Sequence, residues 1–391
     1  METGELIRRS SLTALLFCLL PAFAPAQTSP PGFDEISAQA ANARDQDNVA
    51  QAIELYGRAL QLKPDWPDGW WFLGSLQYEA EAYASGTDAL THYLALVPEA
   101  GPAWALRGLC EFETGDYGRS LTDIQRGLSL GAGKELRDEK ILRYHEALLL
   151  TRKGNFEGAL QEYAALARGK VPNPEVLVAI GLAGLRTPLL PGDLKADKRD
   201  LYLAAGNAAF LFLSGDQPAA QQSFQDLFQR FPTAANAHYL YGTLLSRSDA
   251  EQSLSEFKRE LEVAPSNVAA EVMVAWDSLM RNDFATALAY AEKAEAQEPT
   301  LPTIPLVLGR ALVETGDLKR GTEILEKQSQ TEPDNLEIRF ALVKAYSKSG
   351  RKEDARQERL LCLQMEKGSA THDLANHDPA THDSANHETS R

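Results

Sequence analysis

A repeat of 34 residues runs through this chain, and a repeat of that length restricts it to architectures that stack one small unit many times. Trp70 and Trp104 are 34 residues apart, as are Gly74 and Gly108, and Pro64 and Pro98. Pro232, Pro265, Pro299 and Pro333 keep the same time at intervals of 33, 34 and 34. Midway between these marks stand turn signals: Gly115-Asp116-Tyr117, Gly154-Asn155-Phe156, Gly215-Asp216, Asn282-Asp283-Phe284, Gly316-Asp317 and Gly350-Arg351. Each follows about a dozen residues of helical pattern and precedes a dozen more. The prolines close the second stretch, because a missing N–H and a fixed φ forbid continuation of a helix. Each interval therefore reads as a helical hairpin, and a hairpin this small must stack on a neighbour to bury its apolar face.

These residues resemble the tetratricopeptide repeat family, whose pattern is Trp-x2-Leu-Gly, then Ala-x3-aromatic, then Pro. Trp70 to Gly74 carries the first block as WWFLG, and Ala52-x3-Tyr56, Ala159-x3-Tyr163 and Ala220-x3-Phe224 carry the second. The small Gly and Ala let paired helices approach closely, and larger apolar residues fill the space between hairpins. The units fall at 33–66, 67–100, 101–134, 140–173, 174–200, 201–234, 235–267, 268–301, 302–335 and 336–369. The resemblance implies an all-α fold, a right-handed superhelical α-solenoid of about ten hairpins, typical of exported bacterial multi-repeat proteins that act as scaffolds. Two irregularities interrupt it. Residues 135–139 are an insertion, and the fifth unit reads Arg186-Thr187-Pro188-Leu189-Leu190-Pro191-Gly192-Asp193, which cannot form a regular second helix. The expectation is a seam at 186–200 that divides a front array, 33–185, from a back array, 201–369; the sequence leaves open whether it flexes, which would couple the arrays weakly, or is a packed brace. The end helices are polar on one side, as caps need to be: Asp34 to Asp45 has only Ile36 and alanines as apolar material, and Arg351-Lys352-Glu353-Asp354 opens the last.

The first 26 residues read as a secretory signal peptide: Arg8 and Arg9, an apolar run from Leu12 to Leu20, and Ala24-Pro25-Ala26 before Gln27. The run is shorter than the ~20 residues that span a bilayer. The expectation is export to the periplasm or outside the cell, with a mature start at Gln27 and no membrane insertion afterwards. Loss of the leader leaves Cys110 and Cys362, some seven units apart and far beyond bridging distance, so stability rests on packing. The formal charge of −16 repels phosphate backbones and argues against nucleic acid. Residues 370–391 nearly duplicate ATHDLANHDP as ATHDSANHET, which sets His372, His377, His382 and His387 five apart, each beside a carboxylate. With Leu374 as its one large apolar side chain, this tail is expected to be disordered. It is a duplication that termini tolerate or, on a second reading of the protein's function, a ligand or metal site.

No constellation of acid, base and nucleophile converges, so no enzyme, cofactor or catalytic residue is expected. Gly127-Leu128-Ser129-Leu130-Gly131 spells G-x-S-x-G, but at the end of a helix, where no strand precedes the turn. His92, His145 and His238 stand singly in different units, with no metal-ligand spacing. In the resembled family, places two, five, nine, twelve and thirteen of each unit face the concave side. On this chain that stripe puts Trp71, Tyr78, Phe112, Tyr144, Tyr202, Phe212, Tyr239 and Trp276 into the groove, with Leu279, Met280 and Leu306, and with Arg152, Arg186, Arg247, Arg310, Lys344 and Lys348 as its basic groups. Tyr78, Tyr239 and Trp276 are the leading candidates, since Trp70–Gly74, Gly242 and Pro299 set their phase. The family's Lys-and-Asn clamp for a terminal carboxylate is missing: no fifth place is Lys and no ninth is Asn. Aromatics along a groove suit extended or helical apolar segments, so the partner class is protein or peptide.

Overall fold

The computed structural model describes residues 32–134, 136–167 and 173–375, and among them it contains nineteen helices and no strand. The front hairpins are α1 (Phe33–Asp45) with α2 (Val49–Leu62), α3 (Pro67–Glu79) with α4 (Tyr83–Leu96), α5 (Gly101–Glu113) with α6 (Tyr117–Ser129), and α7 (Leu136–Lys153) with α8 (Phe156–Leu166). A single helix, α9 (Pro174–Gly184), follows. The back hairpins are α10 (Arg199–Leu213) with α11 (Gln217–Arg230), α12 (Ala237–Leu245) with α13 (Ala250–Val263), and α14 (Val268–Met280) with α15 (Phe284–Gln297). The last two are α16 (Ile304–Thr315) with α17 (Leu318–Thr331), and α18 (Leu336–Lys348) with α19 (Lys352–Ala375). First helices of successive hairpins also touch, α3 with α5, α14 with α16 and α16 with α18, so they line one side of the solenoid.

The repeat marks act through local chemistry. Pro64, Pro98, Pro232, Pro265, Pro299 and Pro333 each stand two residues beyond the end of a second helix. The residue before each has φ between −128° and −141° and ψ between 62° and 81°, outside the helical region that a following proline disfavours. Trp70 and Trp104 fasten these turns: their Nε1–H groups donate to the carbonyls of Pro64 and Pro98 at 2.8 and 2.7 Å.

Within the hairpins, the turn places a left-handed residue before the cap of the second helix. Gly115, Gly154, Gly215 and Gly316 fill that place with φ between 82° and 103°, a region glycine enters without strain. The next residue, Asp116, Asn155, Asp216 or Asp317, accepts the N–H three positions on. One hairpin lacks both devices. Glu81 occupies the left-handed place with φ 58°, and Ala82, at φ −87° and ψ 54°, caps α4 with no side-chain acceptor. Those angles nearly match capping Asp116, at φ −82° and ψ 64°. Ala82→Asp should therefore stabilise the protein by about 1 kcal/mol, read as a rise in the urea midpoint. An unchanged or lowered midpoint would mean that the α3–α4 turn differs from its neighbours.

The inserted residues lengthen α7, which begins at Leu136, ahead of the expected unit boundary. The last helix likewise continues to Ala375, past the boundary at 369, so residues 370–375 of the expected disordered tail are helical. Residues 1–26, read from the sequence as a signal peptide, and His377, His382 and His387 lie outside the described residues.

The segment 186–200 has no regular second helix, only two 3₁₀ turns, Pro191–Asp193 and Ala196–Lys198. Yet apolar packing continues across it. The largest apolar cluster runs from Ala105 on α5 to Leu245 on α12 and crosses it without interruption. Helices α9 and α10 meet backbone to backbone, since a Cβ placed on Gly206 would lie 1.7 Å from the Leu177 carbonyl oxygen, and one on Gly181 would lie 1.9 Å from that of Tyr202. The prolines remove a helix, and the glycines let α10 close directly on α9 instead.

Side chains tie the same segment down. Arg186 reaches Glu157 at the start of α8 and lies over the rings of Phe156 and Tyr239, at 5.0 and 5.2 Å. Asn236 Nδ2 donates to the Leu185 carbonyl at 3.2 Å, and Arg152 pairs with Asp193 at 3.2 Å. The seam is a packed brace.

Candidate functional site

The first helices were expected to present one aromatic stripe, but they present two different surfaces. On the front hairpins the aromatics are half-buried and lean on one another. Trp71 packs against Tyr93 at 5.7 Å, Tyr78 against Tyr83 at 5.6 Å, and Phe112 against Tyr117 and His145 at 5.6 and 4.9 Å. Tyr144 lies 6.5 Å from the buried ring of Tyr163. Burial raises the Tyr78 hydroxyl above its usual range, with Glu113 adding to the effect. Tyr202 and Phe212 are half-buried against the central cluster, and the Tyr202 hydroxyl sits 3.1 Å from Thr187 Oγ1 in the brace. These residues form an aromatic lining whose faces are partly spent on packing.

Tyr239 is not a groove residue. It is 7% exposed and packs on Phe257 at 5.6 Å, and Arg186 lies over its ring. The register argument failed because α12 has nine residues, against thirteen in α14, and starts from a left-handed Asn236 with φ 67°. Leu279, also on the expected stripe, is buried, and so is Val272 on the same helix, in the cluster that α14 shares with α16.

The back hairpins keep an open surface. Trp276 is half-buried, Met280 is 55% exposed and Phe340 50% exposed. Two cavities lie along α14, α16 and α18 and share Glu337. The first, about 400 Å³, is lined by Val272, Met273, Trp276, Leu306 and Val307, with Glu332 and Asn335 at its edge. The second, about 280 Å³, is lined by Arg310, Val313, Glu314, Phe340, Ala341 and Lys344. Arg310 lies over Trp276, 4.8 Å from the ring centre, and so joins the two. Glu314 pairs with Lys344, and with Lys348 at 2.7 Å. Burial alone would favour its neutral form, but the hydrogen bonds from both lysines outweigh this and hold its carboxyl below the usual range. Sequence reasoning found Trp276, Leu306, Arg310 and Lys344. It missed that Glu314 and Glu337 enter the same surface, because acidic residues on a helix of an acidic chain carry no distinguishing signal.

The remaining chemical groups are absorbed by packing. Ser129 ends α6 and donates to the Arg126 carbonyl at 2.8 Å, so the G-x-S-x-G spelling is a helix terminus. His92 stacks on Trp70 at 4.3 Å, His145 Nδ1 lies 2.8 Å from the Ile141 carbonyl oxygen, and His238 Nδ1 lies 2.6 Å from buried Glu256. Between α5 and α6, burial and the neighbouring Asp123 push the Glu111 carboxyl up to about 7, while Arg107, 2.6 Å from Asp123, pulls the other way. Cys110 and Cys362 are both buried and unpaired. Among the described residues no group of three His, Cys, Asp or Glu side chains could hold a metal ion, and no helix is long and apolar enough to cross a membrane.

The fold is an all-α solenoid of tetratricopeptide-type hairpins. Residues 37–90 match the family model of the tetratricopeptide repeat. Among solved structures the chain is similar to MamA from Desulfovibrio magneticus RS-1, at 16% identity over 43% of this chain and 96% of that one, with a TM-score of 0.39. It is also similar to the APC/C hetero-tetramer Cut9–Hcn1, at 14% identity over 85% of this chain and 66% of that one, with a TM-score of 0.34. Yeast Tom70 is 13% identical over 89% of this chain and 97% of it, with a TM-score of 0.30. No curated protein matches the chain.

Proposed function

We propose that this protein is an exported scaffold that holds segments of other proteins in its inner groove, chiefly along α14, α16 and α18. The observation that carries this reading is the exposure of Phe340, which lines the second cavity, and of Met280 on α14, whose other residues line the first, in a fold whose other large apolar side chains are mostly buried. Exposed apolar groups in a concave, charge-rimmed surface favour association, because a partner removes them from water. The leader-like segment ending Ala24-Pro25-Ala26 supports export. The function needs no catalytic residue and no cofactor.

Photo-crosslinking tests the groove. Benzoylphenylalanine at position 280 or 340 should capture protein from the native envelope, whereas the same group at Leu62 or Leu96, exposed ends of second helices, should not. Equal capture from all four positions would sink the groove reading. For export, a mature start at Gln27 in the native host is the expected result, and intact Met1 in the cytosol the contrary one.

A further inference from the structure

Arg310 stands apart from the other arginines. Its side chain is half-buried, and every other described arginine buried to that degree pairs with a carboxylate: Arg107 with Asp123, Arg186 with Glu157 and Arg339 with Glu358 among them. Arg310 pairs with none among the described residues, and its N–H donors find no acceptor there. Glu314 is taken by Lys344 and Lys348, and Glu337, though it lines the same cavity, is not within ion-pair distance. The Trp276 ring covers the guanidinium from one side, with its carbon 4.8 Å from the ring centre, and leaves its N–H donors for the groove. Donors left without an acceptor among the described residues match a carboxylate brought by a partner, because the planar guanidinium suits a bidentate anion. Next to it, the apolar cavity under Trp276 and Leu306 has room for a large side chain.

We infer that this groove selects segments in which a large apolar side chain lies beside an acidic one, with the carboxylate on Arg310 and the apolar group against Trp276 and Leu306. This rests on the groove reading above and adds the chemistry of the occupant. An acidic side chain within a chain is meant, not a chain terminus. The overall charge of −16 repels acidic partners at a distance, so the selection is local to Arg310 and comes after contact.

The test uses the full mature chain and two small probes, N-acetyl-phenylalanyl-glutamate amide and its uncharged glutamine counterpart. Binding is followed by the indole N–H resonance of Trp276, identified by its loss in Trp276→Phe. The acidic probe should move this resonance with roughly tenfold higher affinity than the neutral one. Arg310→Gln should erase that preference with melting unchanged, and Arg310→Lys should keep only part of it, since an ammonium lacks the planar fork. Equal affinity for the two probes, or a preference that survives Arg310→Gln, would overturn the proposal and leave the groove reading standing. If neither probe moves the resonance the proposal also falls, and the crosslinks from positions 280 and 340 decide the groove reading independently.

Discussion

Gly206→Ala should lower stability by about 3–5 kcal/mol, although alanine is the better helix former by about 1 kcal/mol. The added methyl would lie 1.7 Å from the Leu177 carbonyl oxygen, so α9 and α10 would have to separate by more than an ångström. Every contact along that interface would loosen together, including Tyr202 to Thr187 and the buried alanines Ala205, Ala208 and Ala209. Overlap of this size outweighs propensity. Because the apolar cluster is continuous from Ala105 to Leu245, the wild-type chain should unfold without an early transition confined to one side of residues 186–200. The variant should uncouple the two sides and show two steps in urea. A Gly206→Ala protein as stable as the parent, with one transition, would show that the two helices do not meet backbone to backbone.

Tyr239→Ala should cost about 3–5 kcal/mol, whereas Phe340→Ala should cost less than about 1 kcal/mol. The surroundings of the two residues differ. Tyr239 is 7% exposed and fills space against Phe257, so truncation leaves a cavity and also removes the surface on which Arg186 rests. Phe340 is 50% exposed, so truncation leaves no void. Tyr239→Phe should fall between, because it keeps the packing and loses only the long 3.4 Å contact from Arg186 to the hydroxyl. Thermal melts of the three variants decide the matter. Equal losses for Tyr239→Ala and Phe340→Ala would return Tyr239 to the groove.

The helices, their turns and their order were legible because the causes are local. Proline two residues beyond a helix, a left-handed residue before an Asx cap, and Trp at place four each act within about six residues, and they recur at Pro98, at Gly115–Asp116 and at Trp104 as the period demands. The candidate site was legible in part. A family register places Trp276, Leu306, Arg310 and Lys344 on the inner face, and α14, α16 and α18 have the length that register assumes. It misplaced Tyr239 because α12 is short and starts from a strained Asn236, and no one-dimensional period records a change in where a helix begins.

By itself, then, the sequence determined an all-α stacked fold, the proline-marked ends of its second helices and its lack of a disulfide framework, since these follow from neighbours along the chain. Tertiary structure alone decided whether Pro188 to Asp193 parts the solenoid or braces it, since that depends on Gly181 and Gly206 meeting carbonyls on another helix. It also decided which half-buried arginine lacks an anion among the described residues. Arg186 and Arg339 each meet a carboxylate from a different helix and Arg310 meets none there, which is a fact of packing, not of spacing.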